Sequence, residues 1–254
     1  MKFVGIIPAR YASTRFPAKV LALLNGKTVI QRVYEQVKDC FDDLYVATDD
    51  SRIADVVTSF GGKVVMTSED CKNGTERCFD ACCNLNIDCD VVVNVQGDEP
   101  FIQRKQIETL MSCFADERTD IATLVKPFEQ TDGWERLSNP NSPKVVLDDD
   151  NFAMYFSRSV VPYLRGVEQD EWLDKHVFYK HLGVYAYRLD VLKKITSLQQ
   201  TPLEKVESLE QLRWLEHGYK IKVGVTNIET IGIDTPEDLE RAKEFASSIG
   251  LCWE

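Results

Sequence analysis

Three cations, Arg10, Arg15 and Lys19, fall within ten residues of one another in the stretch Ile6-Ile7-Pro8-Ala9-Arg10-Tyr11-Ala12-Ser13-Thr14-Arg15-Phe16-Pro17-Ala18-Lys19. They follow the apolar run Lys2 to Ile7, which reads as a buried parallel strand. Open α/β sheets hold their ligands beyond the carboxyl ends of such strands, so the three side chains are placed to meet something anionic. Arginine offers a planar fork to phosphate oxygens and lysine a mobile point charge. The mixture suits a triphosphate whose charge must be held and then redistributed. A solvated basic loop is the competing reading, because the Gly-rich loop of the common phosphate-binding motif is missing.

A second candidate is Asn94-Val95-Gln96-Gly97-Asp98-Glu99-Pro100, a strand that ends in an amide, a glycine and two acids. Glycine admits the close approach of a ligand. An acid at the tip of a central strand is well placed for Mg2+, which prefers oxygen ligands and shares its shell between one or two carboxylates, waters and substrate phosphates. The alternative is an acidic turn capping the next helix, a reading stronger for Glu99 than for Asp98. A third candidate, Gly232-Ile233-Asp234-Thr235, sets another acid immediately before a helix, and by itself fits helix-start chemistry equally well.

The elements that must position these residues alternate strand and helix through the first half, the pattern of a doubly wound parallel sheet. Apolar spacing predicts a helix over 29–37, a strand at 44–47 and a helix from Asp50 or Ser51 that stops at Gly61-Gly62. A strand at 63–66, a helix over 75–85 and the continuous apolar run 91–95, typical of a strand covered on both faces, follow. From about Asp120 strands come without long helices between them, at 121–125, 144–147, 152–156 and 181–187, which predicts an antiparallel or mixed sheet. Asp148-Asp149-Asp150-Asn151 reads as a hairpin turn rather than a metal site. A helix over 203–215, a strand at 220–225 and a last helix from Thr235, with proline at its first position and acid in its first turn, complete the chain. The reading is of one domain over 1–254, with a parallel-sheet half over about 1–120 and a smaller mixed-sheet half over about 121–254.

Composition limits what such a protein can meet. Lys and Arg total 30 against 41 Asp and Glu, a formal charge of −11, which argues against nucleic acid or an anionic membrane as a partner. No apolar run is long enough to cross a bilayer and no signal-peptide pattern opens the chain, so the expected location is the cytoplasm. The 8 cysteines contain no CxxC pair and the 3 histidines no zinc spacing; the thiols read as packing residues in a reducing compartment.

Taken in order and spacing, IPARYASTRFPAK at 6–19, VATDD at 46–50, NGTER at 73–77, VVNVQGDEP at 92–100, NPNSPKVV at 139–146, MYFSRSVVPY at 154–163, YKHLGVYAYR at 179–188, LEQLRWLEHG at 209–218 and GIDTPEDLERA at 232–242 closely resemble the 3-deoxy-manno-octulosonate (KDO) cytidylyltransferase, or CMP-KDO synthetase, family over about 3–245. The resemblance implies a Rossmann-like nucleotidyltransferase (nucleotide-diphospho-sugar transferase) fold with a smaller mixed-sheet subdomain, an α/β protein. It implies that Arg10, Arg15 and Lys19 hold the phosphates of CTP, and that Asp98 and Asp234 ligate Mg2+. Asn73, Gly74, Thr75 and Arg77 would lie near the nucleotide base. Gln96, His181, Tyr185, Glu210 and Gln211 would face the eight-carbon acidic sugar, with Arg158 near its carboxylate. A homodimer built on the mixed-sheet half is implied as well.

The implied reaction is attack by the anomeric hydroxyl of KDO on the α-phosphorus of CTP, giving the CMP-sugar and pyrophosphate for bacterial lipopolysaccharide synthesis. It needs no covalent enzyme intermediate. Competing readings are activation of a related acid sugar, such as an 8-amino analogue or sialic acid, and a nonreactive nucleotide-sugar sensor; retention of both Asp98 and Asp234 argues against the sensor. Three positions depart from the family pattern: Ala18 where glycine is usual, Val20 where proline is common and Cys71 where histidine often stands. If position 18 takes a positive φ, alanine there costs on the order of 1 kcal/mol or reshapes the loop.

Overall fold

A computed structural model describes residues 1–12, 15–229 and 231–248. By its contacts the chain forms two units, Met1–Ile107 together with the segment from Glu229, and Glu108–Ile228. The sequence pattern places one boundary near 120 and the last helix in the second half; here the segment from Glu229 groups with the first unit.

The first unit runs β1 (Phe3–Ala9), a short hairpin of β2 (Leu23–Leu24) and β3 (Lys27–Thr28), α1 (Val29–Val37), β4 (Asp43–Thr48), α2 (Ser51–Ser59), β5 (Val64–Met66), α3 (Gly74–Leu85) and β6 (Val91–Asn94), and then enters α4 (Arg104–Ser112). Its four strands β6-β1-β4-β5 are parallel, with β1 in the interior. Helices that return the chain between parallel strands cover the faces of the sheet, which is why β1 and β6 are almost continuously apolar; Val4, Ile6, Ile7, Val91, Val92 and Val93 are all buried. Local chemistry sets the ends. The Asp50 carboxylate caps α2 by accepting from the Arg52 N–H at 2.9 Å, and Gly61, at φ 80°, takes the left-handed turn that ends it. The helix α4 is the one that follows the acidic turn at Asp98-Glu99, and its bounds are weakly marked in the sequence. Arg104, Lys105 and Glu108 dilute the apolar spacing carried by its buried Ile107 and Leu110.

The second unit contains β7 (Ile121–Pro127), α5 (Gly133–Ser138), β8 (Lys144–Leu147), β9 (Ala153–Ser157), α6 (Trp172–Lys175), β10 (Tyr179–Arg188), α7 (Leu189–Ile195), α8 (Pro202–Glu207), α9 (Glu210–Glu216) and β11 (Ile221–Val225). The expected mixed pairing is present: β10 lies antiparallel to β7 and β8, β8 antiparallel to β9, and β11 parallel to β7. The hairpin at Asp148–Asn151 is a turn. Asn151 adopts φ 58°, and the Asp148 carboxylate accepts from the backbone N–H groups of Asp150 and Phe152 at 3.0 and 2.7 Å, which occupies it within the turn. The single helix expected over 203–215 is broken into α8 and α9 at Ser208, whose φ is 52°; the apolar spacing runs through the break, and no glycine announces it.

The chain closes with α10 (Pro236–Ser248), which packs with the first unit. Its start is as expected: the Thr235 hydroxyl accepts from the Asp238 N–H at 3.2 Å, and the Asp238 carboxylate accepts from the Thr235 N–H at 2.9 Å. Ala242 and Ala246 are buried against Leu24, Val29, Phe101 and Ile233. The Phe245 ring meets Phe101 edge to face at a centroid distance of 4.9 Å.

Candidate active site

At the carboxyl ends of β1 and β6 lies a cavity of about 360 Å3, bounded by the basic loop, the start of α3, the turn after β6 and the segment before α10. Among the described residues, Arg10, Arg15, Lys19, Lys72 and Arg77 line it together with two carboxylates, Asp98 and Asp234. In a chain of net charge −11 this is a local reversal of sign.

The basic loop is held by its backbone and by one stacked pair. The Tyr11 carbonyl accepts from the Ala18 N–H at 2.9 Å, and Ala18 takes the left-handed conformation, φ 56° and ψ 24°, that starts the tight turn Lys19–Leu21. The conditional expectation for position 18 is therefore met, with alanine carrying a dihedral that favours glycine. The Arg52 guanidinium lies 3.3 Å from the centre of the Tyr11 ring and pairs with Asp50, which ties the loop to the start of α2. Arg10 is exposed and has no ion-pair partner among the described residues, so its fork is open to an anion.

Two acids 136 residues apart in the sequence, Asp98 and Asp234, meet at Lys19. Its ammonium pairs with Asp98, and with Asp234 at 2.8 Å, while Arg15 pairs with the other oxygen of Asp234 at 3.1 Å. Burial pushes the Lys19 ammonium down, but the charges and hydrogen bonds of Asp98 and Asp234 outweigh it and leave its pKa above the ordinary lysine value. Asp234 reaches this place because the Ile233 N–H donates to the Asp98 carbonyl at 2.9 Å, Ile233 is fully buried, and α10 is anchored behind it. Gly97 does allow a close approach, though of the protein's own backbone. A Cβ there would stand 2.9 Å from the Pro8 carbonyl oxygen, so a side chain would push the turn away from β1.

The start of α3 forms the opposite wall. Asn73 caps it, its side-chain oxygen accepting from the Glu76 N–H at 2.8 Å, and the Glu76 carboxylate accepts from the Lys72 N–H at 2.9 Å. Asn73 and Gly74 line the cavity; Thr75 is buried and does not. Arg77 is also buried, and its guanidinium donates to Asp49 and to Thr67 at 2.7 Å each, which fixes the 67–73 loop. Lys72, a lining cation beside the NGTER segment, escaped the sequence reading although its charge was visible there.

Gln96 also lines this cavity, and the remaining candidates stand in the second unit. On β10, His181 and Tyr185 have ring centroids 5.4 Å apart, and the Thr123 hydroxyl is 3.0 Å from the His181 Nε2. Burial pulls the His181 pKa down to about 3, so the imidazole is neutral at ordinary pH. The Tyr185 hydroxyl, Gln211 Nε2 and Trp214 Nε1 are buried without a hydrogen-bond partner, an arrangement that calls for a ligand or water. Glu210 pairs with Arg213 at 2.6 Å. Arg158 is used differently from the expectation: its guanidinium donates to the carbonyls of Glu207, Pro140 and Ser208 at 2.6, 2.9 and 3.2 Å, clamping the break between α8 and α9.

No group of three or more His, Cys, Asp or Glu side chains suited to a metal occurs among the described residues. Two carboxylates that converge on a single ammonium nonetheless fit Mg2+, an ion that takes few protein ligands and completes its shell with water and phosphate. Cys82 and Cys113 are buried with thiols raised to about 12 and about 11, which suits packing rather than chemistry; Cys252 lies outside the described residues.

Residues 4–221 match the cytidylyltransferase family. The 3-deoxy-manno-octulosonate cytidylyltransferase of Parabacteroides distasonis is 64% identical over 249 residues, which covers 98% of this chain and 99% of that one. The chain belongs to this family. The corresponding enzyme of Porphyromonas gingivalis is 55% identical over 98% of both chains. Among solved structures, a CMP:2-keto-3-deoxy-manno-octonic acid synthetase complexed with CTP superposes with a TM-score of 0.89 at 37% identity, covering 98% of this chain and all of the other. The nucleotidyltransferase fold expected from the sequence is thereby established. A glucose-1-phosphate thymidylyltransferase from Bacillus anthracis, TM-score 0.65 and 17% identical, shares the fold alone. No helix among the described residues is long and apolar enough to cross a membrane.

Proposed function

We propose that this protein transfers the cytidylyl group of CTP to 3-deoxy-manno-octulosonate, releasing pyrophosphate, and that the cavity of the first unit is its nucleotide site. The observation that carries the reading is the convergence of Lys19, Asp98 and Asp234 beside the free fork of Arg10 and the amino end of α3. The relatives' activity and the CTP held by the 37% identical structure support it.

In this account Arg10, Arg15 and Lys19 hold the triphosphate, and the N–H groups at the start of α3 with Asn73 and Gly74 receive the nucleobase edge. Arg77 and Thr75 act by position, the first by fixing the 67–73 loop through Asp49 and Thr67. Asp98 and Asp234 are the residues that would hold Mg2+, which supplies charge neutralisation at phosphate oxygens when bound. Gln96 lines the nucleotide cavity. In the second unit, Tyr185, Gln211, His181 and Glu210 are the side chains assigned to the sugar; the unpartnered Tyr185 hydroxyl and Gln211 amide supply polar atoms for its hydroxyl groups. The chemistry asked of the side chains is positioning and charge stabilisation. Holding hydroxyl and α-phosphorus in line replaces a large translational entropy loss, and Lys19 strengthens its contact as negative charge develops on the leaving pyrophosphate. The product is the activated sugar for lipopolysaccharide synthesis, made in the cytoplasm. A homodimer through the second unit is part of the same reading, supported by the exposed apolar side chains Met154, Tyr163, Val177 and Val206 of that unit.

Pyrophosphate release measured over a panel of nucleotides and acid sugars tests this reading. CTP with 3-deoxy-manno-octulosonate should give the highest kcat/KM. A preference for the 8-amino analogue or for sialic acid would reassign the sugar, and release with no pair would return the chain to the sensor reading.

A further inference from the structure

Both oxygens of Asp234 and one oxygen of Asp98 are engaged by cations of the basic loop: Lys19 bridges the two acids, and Arg15 takes the remaining oxygen of Asp234. The Lys19 side chain is 16% exposed and Asp98 26%, so that arm of the bridge is partly shielded from solvent, whereas Asp234 at 48% and Arg15 at 65% are open. A divalent ion bound by these acids would need the same oxygens. An ammonium and a metal ion cannot both occupy the point where two carboxylates converge.

We propose that Lys19 is a built-in competitor for the metal site, an internal cation that a divalent ion must displace, and that its displacement delivers the ammonium to the phosphates. This rests on the reading of Asp98 and Asp234 as the metal's ligands. Three consequences follow from the charge arrangement. The two acids are held side by side by Lys19, so the site is preorganised without the like-charge repulsion that would otherwise part them. A metal ion alone binds weakly, because it gains the carboxylates at the expense of the ion pairs that Lys19 and Arg15 make with them and leaves Lys19 without a partner. A polyphosphate offers Lys19 and Arg15 new partners, so nucleotide and metal each raise the other's affinity, a reciprocal coupling that arises from partner exchange within the protein.

The test measures binding of Mn2+ alone to the full chain, by the electron paramagnetic resonance signal of the free ion, in the wild type, Lys19→Met, Lys19→Gln, Lys19→Arg and Asp98→Asn. Melting curves establish that each variant is folded. The proposal expects both neutral substitutions to tighten Mn2+ binding by about tenfold, the scale of two part-buried ion pairs, and Lys19→Arg to keep the weak affinity of the wild type. Asp98→Asn should lose binding. Equal or weaker binding in Lys19→Met and Lys19→Gln, with Asp98→Asn still impaired, would overturn the competitor role and leave the metal assignment standing. Wild-type affinity in Asp98→Asn would overturn both.

Discussion

Replacing Ala18 with glycine should stabilise the protein. Ala18 sits at φ 56° and ψ 24°, and it cannot relax to a negative φ without breaking the bonds from its N–H to the Tyr11 carbonyl at 2.9 Å and from the Leu21 N–H to its own carbonyl at 2.8 Å. A residue with a Cβ pays roughly 1–2 kcal/mol for that conformation, while glycine gives back about 0.4–1 kcal/mol through its freer unfolded chain. The net gain is about 0.5–1 kcal/mol, or about 1–3 °C in Tm for a chain of this length. Ala22→Gly is the control, because Ala22 has an ordinary extended backbone, φ −61° and ψ 145°, and there glycine should lower Tm. Scanning calorimetry of both variants against the wild type decides it. An unchanged or lowered Tm in Ala18→Gly, matching Ala22→Gly, would refute the claim that this loop carries the strain. Turnover in Ala18→Gly should stay near the wild-type rate, since no charge of the phosphate grip is altered.

Lys19→Met should lower kcat by about a hundredfold while weakening CTP affinity by less than about tenfold, because its contact strengthens in the transition state; Arg10→Lys should also lower kcat/KM by about tenfold, a point charge being no substitute for a fork. Steady-state pyrophosphate release with calorimetric CTP binding measures both, and near-normal turnover in both would make the segment a solvated loop. Acid should destabilise the fold through His181. Its folded pKa of about 3 lies below the ordinary 6.5, so the unfolded chain takes up the proton first; the stability present above pH 6.5 falls as pH drops toward 3. The loss from this group is about 1 kcal/mol by pH 5.5, and urea midpoints from pH 7.5 to 5.5 should fall less steeply in His181→Gln than in the wild type, parallel slopes being the contrary result. Sedimentation at micromolar concentration should give twice the 29.0 kDa chain mass, and a single monomeric species would contradict the dimer.

Strong local rules made much of the first unit legible in the sequence. Parallel strands buried on both faces leave uninterrupted valine and isoleucine runs, and Asp50, Gly61 and Thr235 each announce a helix end through chemistry that acts within three residues. The grouping of Arg10, Arg15, Lys19 and Asp98 followed from the rule that strand ends gather ligands. The join between Asp98 and Asp234 did not: it depends on the Ile233 N–H to Asp98 carbonyl bond and on apolar packing of α10, contacts across more than a hundred residues that leave no periodic trace. Asp234 therefore remained indistinguishable from a helix-start residue until resemblance singled it out. Partner choice was equally hidden. An arginine in a sequence looks the same whether its fork is free, as in Arg10, or closed on backbone carbonyls, as in Arg158, and Arg77 reads as a ligand-binding cation until Asp49 and Thr67 are seen to take its donors. The break at Ser208 illustrates a further blind spot, since a serine in the left-handed conformation carries no turn signal of its own.

The central claim is that this protein moves the α-phosphorus of CTP onto the anomeric hydroxyl of 3-deoxy-manno-octulosonate, with Asp98 as a required acid. The most direct measurement follows CTP labelled with 32P at the α-phosphate, in the presence of Mg2+ and the sugar, for the wild type and Asp98→Asn. The account predicts that the label passes to a CMP-sugar in the wild type, in amounts equal to the pyrophosphate released, and stays in CTP with the folded Asp98→Asn protein. Label retained in CTP by the wild type, label recovered as free CMP in both the presence and the absence of the sugar, or transfer by Asp98→Asn at most of the wild-type rate would contradict it.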